Sequence, residues 1–246
     1  MTEVRTILLI GGTDEAVRLN GILAGRPDVR LVTSLAGRTK KPARLAGERV
    51  VGGFGGRQGL KDFILERQID SVIDASHPFA DRITQNAAAA CGEAGITYIR
   101  LQRPEWERQL EDNWISAASI EEAAGKLADY ERIFLTVGRQ ELGPFEGVAD
   151  KLFLVRSIEK ADFNPPRSEV KFLQSRGPFS AEEELGLLRE ERIDLLVSKN
   201  SGGDATYAKI EAARCLGLPV IMIERPPLPD CICFSEIEEL MTHLGF

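Results

Sequence analysis

The sequence predicts an α/β fold of two Rossmann-like domains with parallel sheets, built by internal duplication. Three observations predict it. An apolar run at 7–10 feeds directly into a glycine turn and a helix start. Further short apolar runs alternate with stretches of helical spacing along the chain. Segments of the second half can be laid over segments of the first at an offset of about 120 residues, with chance similarity between βαβ units, which share a periodicity, as the alternative to duplication.

The opening reads Ile7-Leu8-Leu9-Ile10-Gly11-Gly12-Thr13-Asp14-Glu15-Ala16. Four apolar residues in a row suit a strand buried on both faces. Gly11 and Gly12 permit a sharp turn and a close approach of backbone to ligand. Thr13 and Asp14 are N-cap residue types, and helical spacing continues from 16 to 23. Strand, turn and helix start form an anion site, where free N–H groups and the positive helix end suit a pyrophosphate. The pattern is Gly-Gly-Thr-x-x-Ala and not the full Gly-x-Gly-x-x-Gly. A βα turn that needs glycine only for its geometry therefore stays open as the alternative.

A second strand is predicted over 29–34, ending in Thr33-Ser34-Leu35-Ala36-Gly37-Arg38-Thr39-Lys40-Lys41. An NAD enzyme places an acid here to bond the ribose 2′-hydroxyl. This loop has hydroxyls, a glycine and Arg38 instead, and a guanidinium can clamp a 2′-phosphate bidentately. That favours NADPH, with a solvated basic loop as the plain alternative. Gly52-Gly53-Phe54-Gly55-Gly56 suits either close approach to a ligand or a hinge. An amphipathic helix follows over 60–68. The strand at 71–74 delivers Ala75-Ser76-His77 to the carboxyl edge, outside which open α/β sheets bind ligands. His77 is one of only two histidines, with a structural role beside Pro78 as its other reading. A helix over 82–94 and a strand over 97–101 complete this half.

Residues 69–74 match 193–198, and G-I-T-Y-I-R-L-Q-R-P at 95–104 parallels G-L-P-V-I-M-I-E-R-P at 217–226. The run at 133–138 echoes the opening strand and its glycine. The expected division is a nucleotide-binding domain at 1–104, a crossover at 105–130, and a second domain at 131–246. Trp106 and Trp114 are expected to pack at the junction. Residues 231–234 read as an edge strand and 236–244 as a closing helix.

In the second half the strand-end loops have different chemistry. They are Thr136-Val137-Gly138-Arg139-Gln140, Ser175-Arg176-Gly177-Pro178-Phe179 and Ser198-Lys199-Asn200-Ser201-Gly202-Gly203. They gather Arg139, Arg176 and Lys199 beside amide and hydroxyl donors, expected to face a cleft opposite the cofactor loops. Three such cations suit a ligand with several carboxylates or phosphates. Tyr207 and Lys209, at the next helix start, are weaker candidates.

The formal charge of −7 argues against nucleic acid or an anionic membrane as the main partner. No apolar run approaches the ~20 residues of a membrane span, and the start has no signal-peptide core. Four cysteines make no disulfide framework in a chain this long. Cys91 and Cys215 read as small buried apolar residues, and Cys231-x-Cys233 lacks the partners of a zinc site, so no metal is expected. These points describe a cytoplasmic protein, a monomer or weak homo-oligomer.

Several stretches together resemble the precorrin-6A reductase family of the corrin pathway. They are I-G-G-T-D-E-A at the opening, S-L-A-G-R-T at 34–39, G-G-F-G-G at 52–56, D-A-S-H-P-F-A at 74–80, R-G-P-F at 176–179, S-K-N-S-G-G at 198–203 and the closing P-V-I-M-I-E-R-P. The resemblance runs along nearly the whole chain. It implies two Rossmann-like domains holding a tetrapyrrole between them, and hydride transfer from NADPH to precorrin-6A, giving precorrin-6B. A cobalt-containing branch of the family acts on cobalt-precorrin-6A; the S-L-A-G-R-T loop resembles the cobalt-free branch. Expected cofactor contacts are Gly11, Gly12, Thr13, Glu15, Ser34, Gly37, Arg38, Thr39, Gly53, Ser76 and His77. Expected substrate contacts are Gly138, Arg139, Gln140, Arg176, Lys199, Asn200, Ser201 and Gly202, with His77 also the catalytic candidate. A short-chain dehydrogenase is disfavoured, because Gln102, Phe134 and Glu211 stand four residues after the three tyrosines where its lysine belongs. A non-catalytic NADP-binding redox sensor has no need of a cationic second cleft. A methyltransferase leaves the Arg38 loop unexplained.

Overall fold

The computed structural model describes residues 4–36, 45–159 and 161–246. In chain order its elements begin with β1 (Arg5–Ile10), α1 (Asp14–Ala24), β2 (Val29–Leu35), β3 (Glu48–Val51), α2 (Gly56–Glu66), β4 (Ser71–Asp74), α3 (Asp81–Ala94) and β5 (Thr97–Leu101). They continue with β6 (Asn113–Ala117), α4 (Ile120–Gly125), β7 (Arg132–Leu135), β8 (Leu152–Ser157), β9 (Glu169–Gln174), α5 (Ala181–Glu190), β10 (Leu195–Lys199), α6 (Ala208–Cys215) and β11 (Pro219–Ile223), and end with β12 (Ile232–Phe234) and α7 (Ile237–His243). No helix among the described residues is long and apolar enough to cross a membrane.

The strands form two six-stranded sheets, ordered β3-β2-β1-β4-β5-β12 and β9-β8-β7-β10-β11-β6. Every pairing recorded between their neighbouring strands is parallel. The first five strands of each follow the 3-2-1-4-5 order of a doubly wound dinucleotide fold, so each sheet has its own switch point, at β1/β4 and at β7/β10.

The sixth strands correct the expected domain bounds. β6 follows the first five strands in sequence yet pairs with β11 of the second sheet, and β12 follows β11 yet pairs with β5 of the first. The compact units are therefore Met1–Pro104 with Pro226–Phe246, and Glu105–Arg225. The segment read as a crossover supplies β6 and α4 to the second unit, and the tail read as part of the second domain belongs to the first. The reason is burial. Ile237 and Leu240 of α7 cover Ile99, Leu101, Leu9 and Leu19 of the first core, while Trp106 lies in the second unit's core with Trp114 packed against it.

In the first sheet Ile7 and Leu9 face α1 and α7, and Leu8 and Ile10 face α2 and α3. A strand covered on both sides has no polar face, which explains its unbroken apolar run. The repeat has a physical basis. Asp70 accepts from the Thr6 amide at 2.6 Å, and Asp194 accepts from the Arg132 and Glu131 amides at 3.0 and 2.8 Å. In both units the Ile-Asp pair ties one central strand to the start of its neighbour. Gly95 and Gly217, also matched, both take left-handed backbone just past a helix, at φ 70° and 64°, where a side chain is strained. One expectation fails within the repeat. Cys91 is buried, but Cys215, on the last turn of α6, is exposed.

Candidate functional site

At the first unit's switch point, Gly11 donates its amide to the Ser34 carbonyl at 2.8 Å. A Cβ on Gly11 would press on the Leu35 side chain at 3.2 Å, so glycine lets the turn close against β2. Gly12 has φ +143° with open space where a Cβ would stand. Thr13 caps α1, accepting from the Ala16 amide at 3.2 Å and donating to the Ala75 carbonyl at 2.9 Å, which laces the β1 turn to the end of β4. The amides of Gly12, Thr13 and Asp14 have no acceptor among the described residues. These donors stand at a helix start, as an anion requires. Glu15, in the same turn, is paired with Arg103 at 3.0 Å. Partial burial opposes its charge, yet its own backbone amide, Arg103 and the Thr13 hydroxyl hold its carboxyl below the usual range.

Ser34 is buried at the end of β2. Gly37, Arg38 and Thr39 lie outside the described residues. Just past them, Asn20 of α1 bonds the Thr33 hydroxyl at 3.0 Å and both backbone groups of Ala46, at 2.9 and 3.0 Å. The loop at 52–56 starts α2 with two successive left-handed glycines, Gly55 and Gly56. Gly53 lies within it. Gly59, inside α2 and unmarked by any sequence signal, packs on this loop: a Cβ there would stand 1.7 Å from the Phe54 carbonyl oxygen.

The end of β4 is fixed by a buried network that periodicity alone does not reveal. Asp74 and Arg100, register partners on β4 and β5, pair at 2.7 Å with neither side chain exposed. Asp74 also accepts from the Ser76 amide, the Thr84 hydroxyl and the Tyr98 hydroxyl at 2.8–2.9 Å. Burial and the neighbouring Asp74 push the Tyr98 hydroxyl's pKa up, so it stays a donor. Arg100 donates to the Ser76 hydroxyl and carbonyl and to Gln102. Ser76 is thus a buried link in the loop's support. His77 follows it, half-buried, its Nδ1 accepting from the Phe79 amide at 3.2 Å. In a neutral ring the proton then sits on Nε2.

In the second unit the predicted loops meet the switch point at β7/β10. Lys199 pairs with both carboxylate oxygens of Glu141, at 2.7 and 2.9 Å. Glu141 also accepts from the Gly138 amide at 2.7 Å. Arg139 pairs with Glu159 at 2.8 Å. Arg176 is exposed and has no carboxylate partner among the described residues. Gln140 is exposed beside Arg139, Ser201 is half-buried and Gly202 buried with φ +66°. Asn200 is used differently from expectation. Its amide oxygen accepts from the Trp106 amide at 2.8 Å and its nitrogen donates to the Trp106 carbonyl at 3.1 Å, so it fastens the chain at 105–106 to the sheet. A cavity of about 460 Å³ beside it is lined by Trp106, Trp114, Met222 and Arg225, among others.

Beneath this edge Arg156 forks onto Glu184 at 2.7 and 2.9 Å, with its guanidinium over the Phe134 and Phe179 rings. Lys209, almost fully buried, donates to the Thr206 carbonyl at 2.7 Å and sits 4.7 Å above the Trp106 ring. Burial drives its pKa down to about 7, against the pull of Glu184 and with the push of Arg156. The sequence signal for this cluster was slight: one cation near the end of an apolar strand, one in a helix's first turn.

Residues 6–245 match the model of a family described as Precorrin-6x reductase CbiJ/CobK. The chain is 48% identical over 225 residues to a precorrin-6A reductase of Rhodococcus erythropolis, covering 91% of this chain and 90% of that protein. It is 34% identical to a cobalt-precorrin-6A reductase of Methanothermobacter thermautotrophicus, covering 98% of this chain and 84% of the relative. A solved structure titled CobK precorrin-6A reductase superposes with a TM-score of 0.89 at 36% identity, covering 98% and 96% of the two chains.

Proposed function

The chain belongs to the precorrin-6x reductase family, and from that premise we propose that it reduces precorrin-6A to precorrin-6B with NADPH, a step of cobalamin biosynthesis. One double bond of the conjugated ring is lost: one carbon receives a hydride, its neighbour a proton, and NADPH leaves as NADP⁺. NADPH, when bound, supplies that hydride. The observation that carries the reading is the β1 turn, where the amides of Gly12, Thr13 and Asp14 have no acceptor among the described residues, at a switch point. Those donors and the open surface of Gly12 suit a pyrophosphate.

The protein's work is binding and orientation. Gly11, Gly12 and Thr13 hold the dinucleotide phosphates, Ser34, Gly53 and Ser76 line the strand ends beside them, and Arg38 with Gly37 and Thr39 takes the 2′-phosphate. Glu15 shapes the turn through Arg103. Arg139, Arg176 and Lys199, with Gly138, Gln140, Ser201 and Gly202, receive carboxylates of the macrocycle, and Asn200 positions their loop. His77 Nε2 is the proton-bearing atom we assign to the β4 edge. The cobalt-free substrate is preferred because identity is 48% to the precorrin-6A relative and 34% to the cobalt one.

The test is anaerobic loss of NADPH absorbance with precorrin-6A, run against its cobalt form. Faster turnover of precorrin-6A is expected. Binding of NADPH without oxidation under either substrate overturns the reading in favour of a redox sensor. Arg38→Ala should raise the KM for NADPH far more than that for NADH; equal effects would remove the 2′-phosphate assignment.

A further inference from the structure

The two switch points are built alike, and each turn carries a carboxylate paired with a cation, Glu15 with Arg103 in the first and Glu141 with Lys199 in the second; they differ in what the glycine amides of the turn meet. In the first unit the amides of Gly12, Thr13 and Asp14 have no acceptor among the described residues, and the surface over Gly12 is open. In the second, the equivalent turn after β7 already holds a carboxylate, that of Glu141. It accepts from the Gly138 amide at 2.7 Å and from the Lys199 ammonium at 2.7 and 2.9 Å. The carboxylate lies close over the backbone, for a Cβ on Gly138 would stand 2.8 Å from Glu141 Oε2 and 4.0 Å from Lys199 Nζ. With glycine the carboxylate rests there without having to shift. An amide, an ammonium and a glycine surface converging on one carboxylate are the parts of a carboxylate-binding site.

We propose that the Gly138 amide and Lys199 form a carboxylate subsite, and that Glu141 occupies it as an internal stand-in which a ligand carboxylate displaces. This rests on the reading of the ligand as a polycarboxylate ring and names the place where one of its acid groups binds. Glu141 can leave without loss of the fold. It lies on a short 3₁₀ turn, Arg139–Glu141, and its side chain is 28% exposed, against 12% for Lys199. The stand-in keeps Lys199 compensated when no ligand is present. It also excludes weakly bound anions, because a ligand must out-compete a carboxylate tethered at high local concentration. A substrate with several acid groups can do so, since its other contacts offset the exchange. A lone acetate or chloride cannot.

The variant that isolates this is Glu141→Gln, which keeps an acceptor for the Gly138 amide and removes the charge. The probe is tricarballylate, a small tricarboxylate, titrated calorimetrically into the full-length protein. We expect Glu141→Gln to bind it about tenfold more tightly than the unsubstituted chain, as expected when a competing state is removed. The gain should vanish in Glu141→Gln/Lys199→Ala. Matching melting curves establish that all three chains are folded. Unchanged or weaker binding by Glu141→Gln, or a gain that survives loss of Lys199, overturns the proposal. The titration needs no turnover, so it is read separately from the NADPH assay. If the unsubstituted chain reduces precorrin-6A while Glu141→Gln shows no gain, this inference alone falls; if it fails to reduce precorrin-6A, the functional reading falls and the titration still decides the subsite.

Discussion

Asp74 and Arg100 face each other across neighbouring parallel strands and form an ion pair of 2.7 Å with no solvent on either side chain. Each has further bonds, and three of them end on Ser76. The pair therefore holds the loop that presents His77. Breaking a buried pair by removing one partner costs about 3–5 kcal/mol, because the other charge is left uncompensated.

Arg100→Met should accordingly lower the unfolding free energy by that amount, moving the denaturant midpoint down with it, and raise the KM for NADPH, as the Ser76 loop loses its anchor. Asp74→Leu combined with Arg100→Met removes both charges and should recover part of the stability, limited by the buried Ser76, Thr84 and Tyr98 donors that lose Asp74, and none of the NADPH affinity. Recovery of both would show that the network serves only the core. Urea unfolding and initial rates at varied NADPH separate the two outcomes.

The exchanged strands give a second expectation. Deleting 226–246 removes β12 and α7, and with them Ile237 and Leu240 from the core above β5. It also removes Phe246, which lies 4.0 Å beneath both Arg5 and Arg26. Hydrogen exchange of the shortened chain should show lost protection in β1, β2 and β5. The strands β7, β8, β10 and β11 should stay protected, since their unit is complete within Glu105–Arg225. The division at 131 predicts the reverse: the second sheet would open and the first stay closed.

Much of this architecture could be read from the residues, because alternation of apolar runs with helical spacing records burial directly. The glycine turn was legible since Gly11 and Gly12 meet a backbone need. What escaped depends on partners distant in sequence. Arg100 stands in a strand of otherwise apolar character, and only the register with Asp74 explains it. Ile232–Phe234 is too short for its pattern to say which sheet it joins. Lys199 and Arg139 were legible as cations, but their pairing with Glu141 and Glu159 follows from loop geometry, and Asn200 looks like a ligand contact until its amide is seen on Trp106.

Lys209 makes stability depend on pH with a definite sign. Its ordinary value is 10.5 and burial lowers it to about 7 in the folded chain. Between those values the unfolded chain binds the extra proton, so stability rises with pH from 7 to 10.5. Below 7 the charged lysine is buried at full cost, beside Arg156, with Glu184 pulling the other way. Lys209→Met should stabilise the protein by about 1–3 kcal/mol at pH 6, an advantage that shrinks steadily towards pH 10.5. Melting curves of both chains across that range check it; a constant offset would mean that the lysine does not titrate there.

Gly59 offers the sharpest test of the loop at 52–56. It lies inside α2, where alanine is ordinarily favoured over glycine by about 0.5–1 kcal/mol. Here a Cβ would stand 1.7 Å from the Phe54 carbonyl oxygen and 2.9 Å from its carbon. Backbone on backbone has no flexible end to yield, so the turn must move off the helix, taking with it the contact of Phe54 with Phe63 at 5.1 Å between ring centres. Gly59→Ala should therefore destabilise the protein and raise the KM for NADPH, with kcat at saturation little changed. Gly92→Ala is the control: it is also helical, but nothing lies within 4 Å of its Cβ, and it should be neutral or mildly stabilising. If Gly59→Ala lowers the melting temperature and leaves the KM for NADPH untouched, the loop serves helix packing alone and has no part in holding the nucleotide.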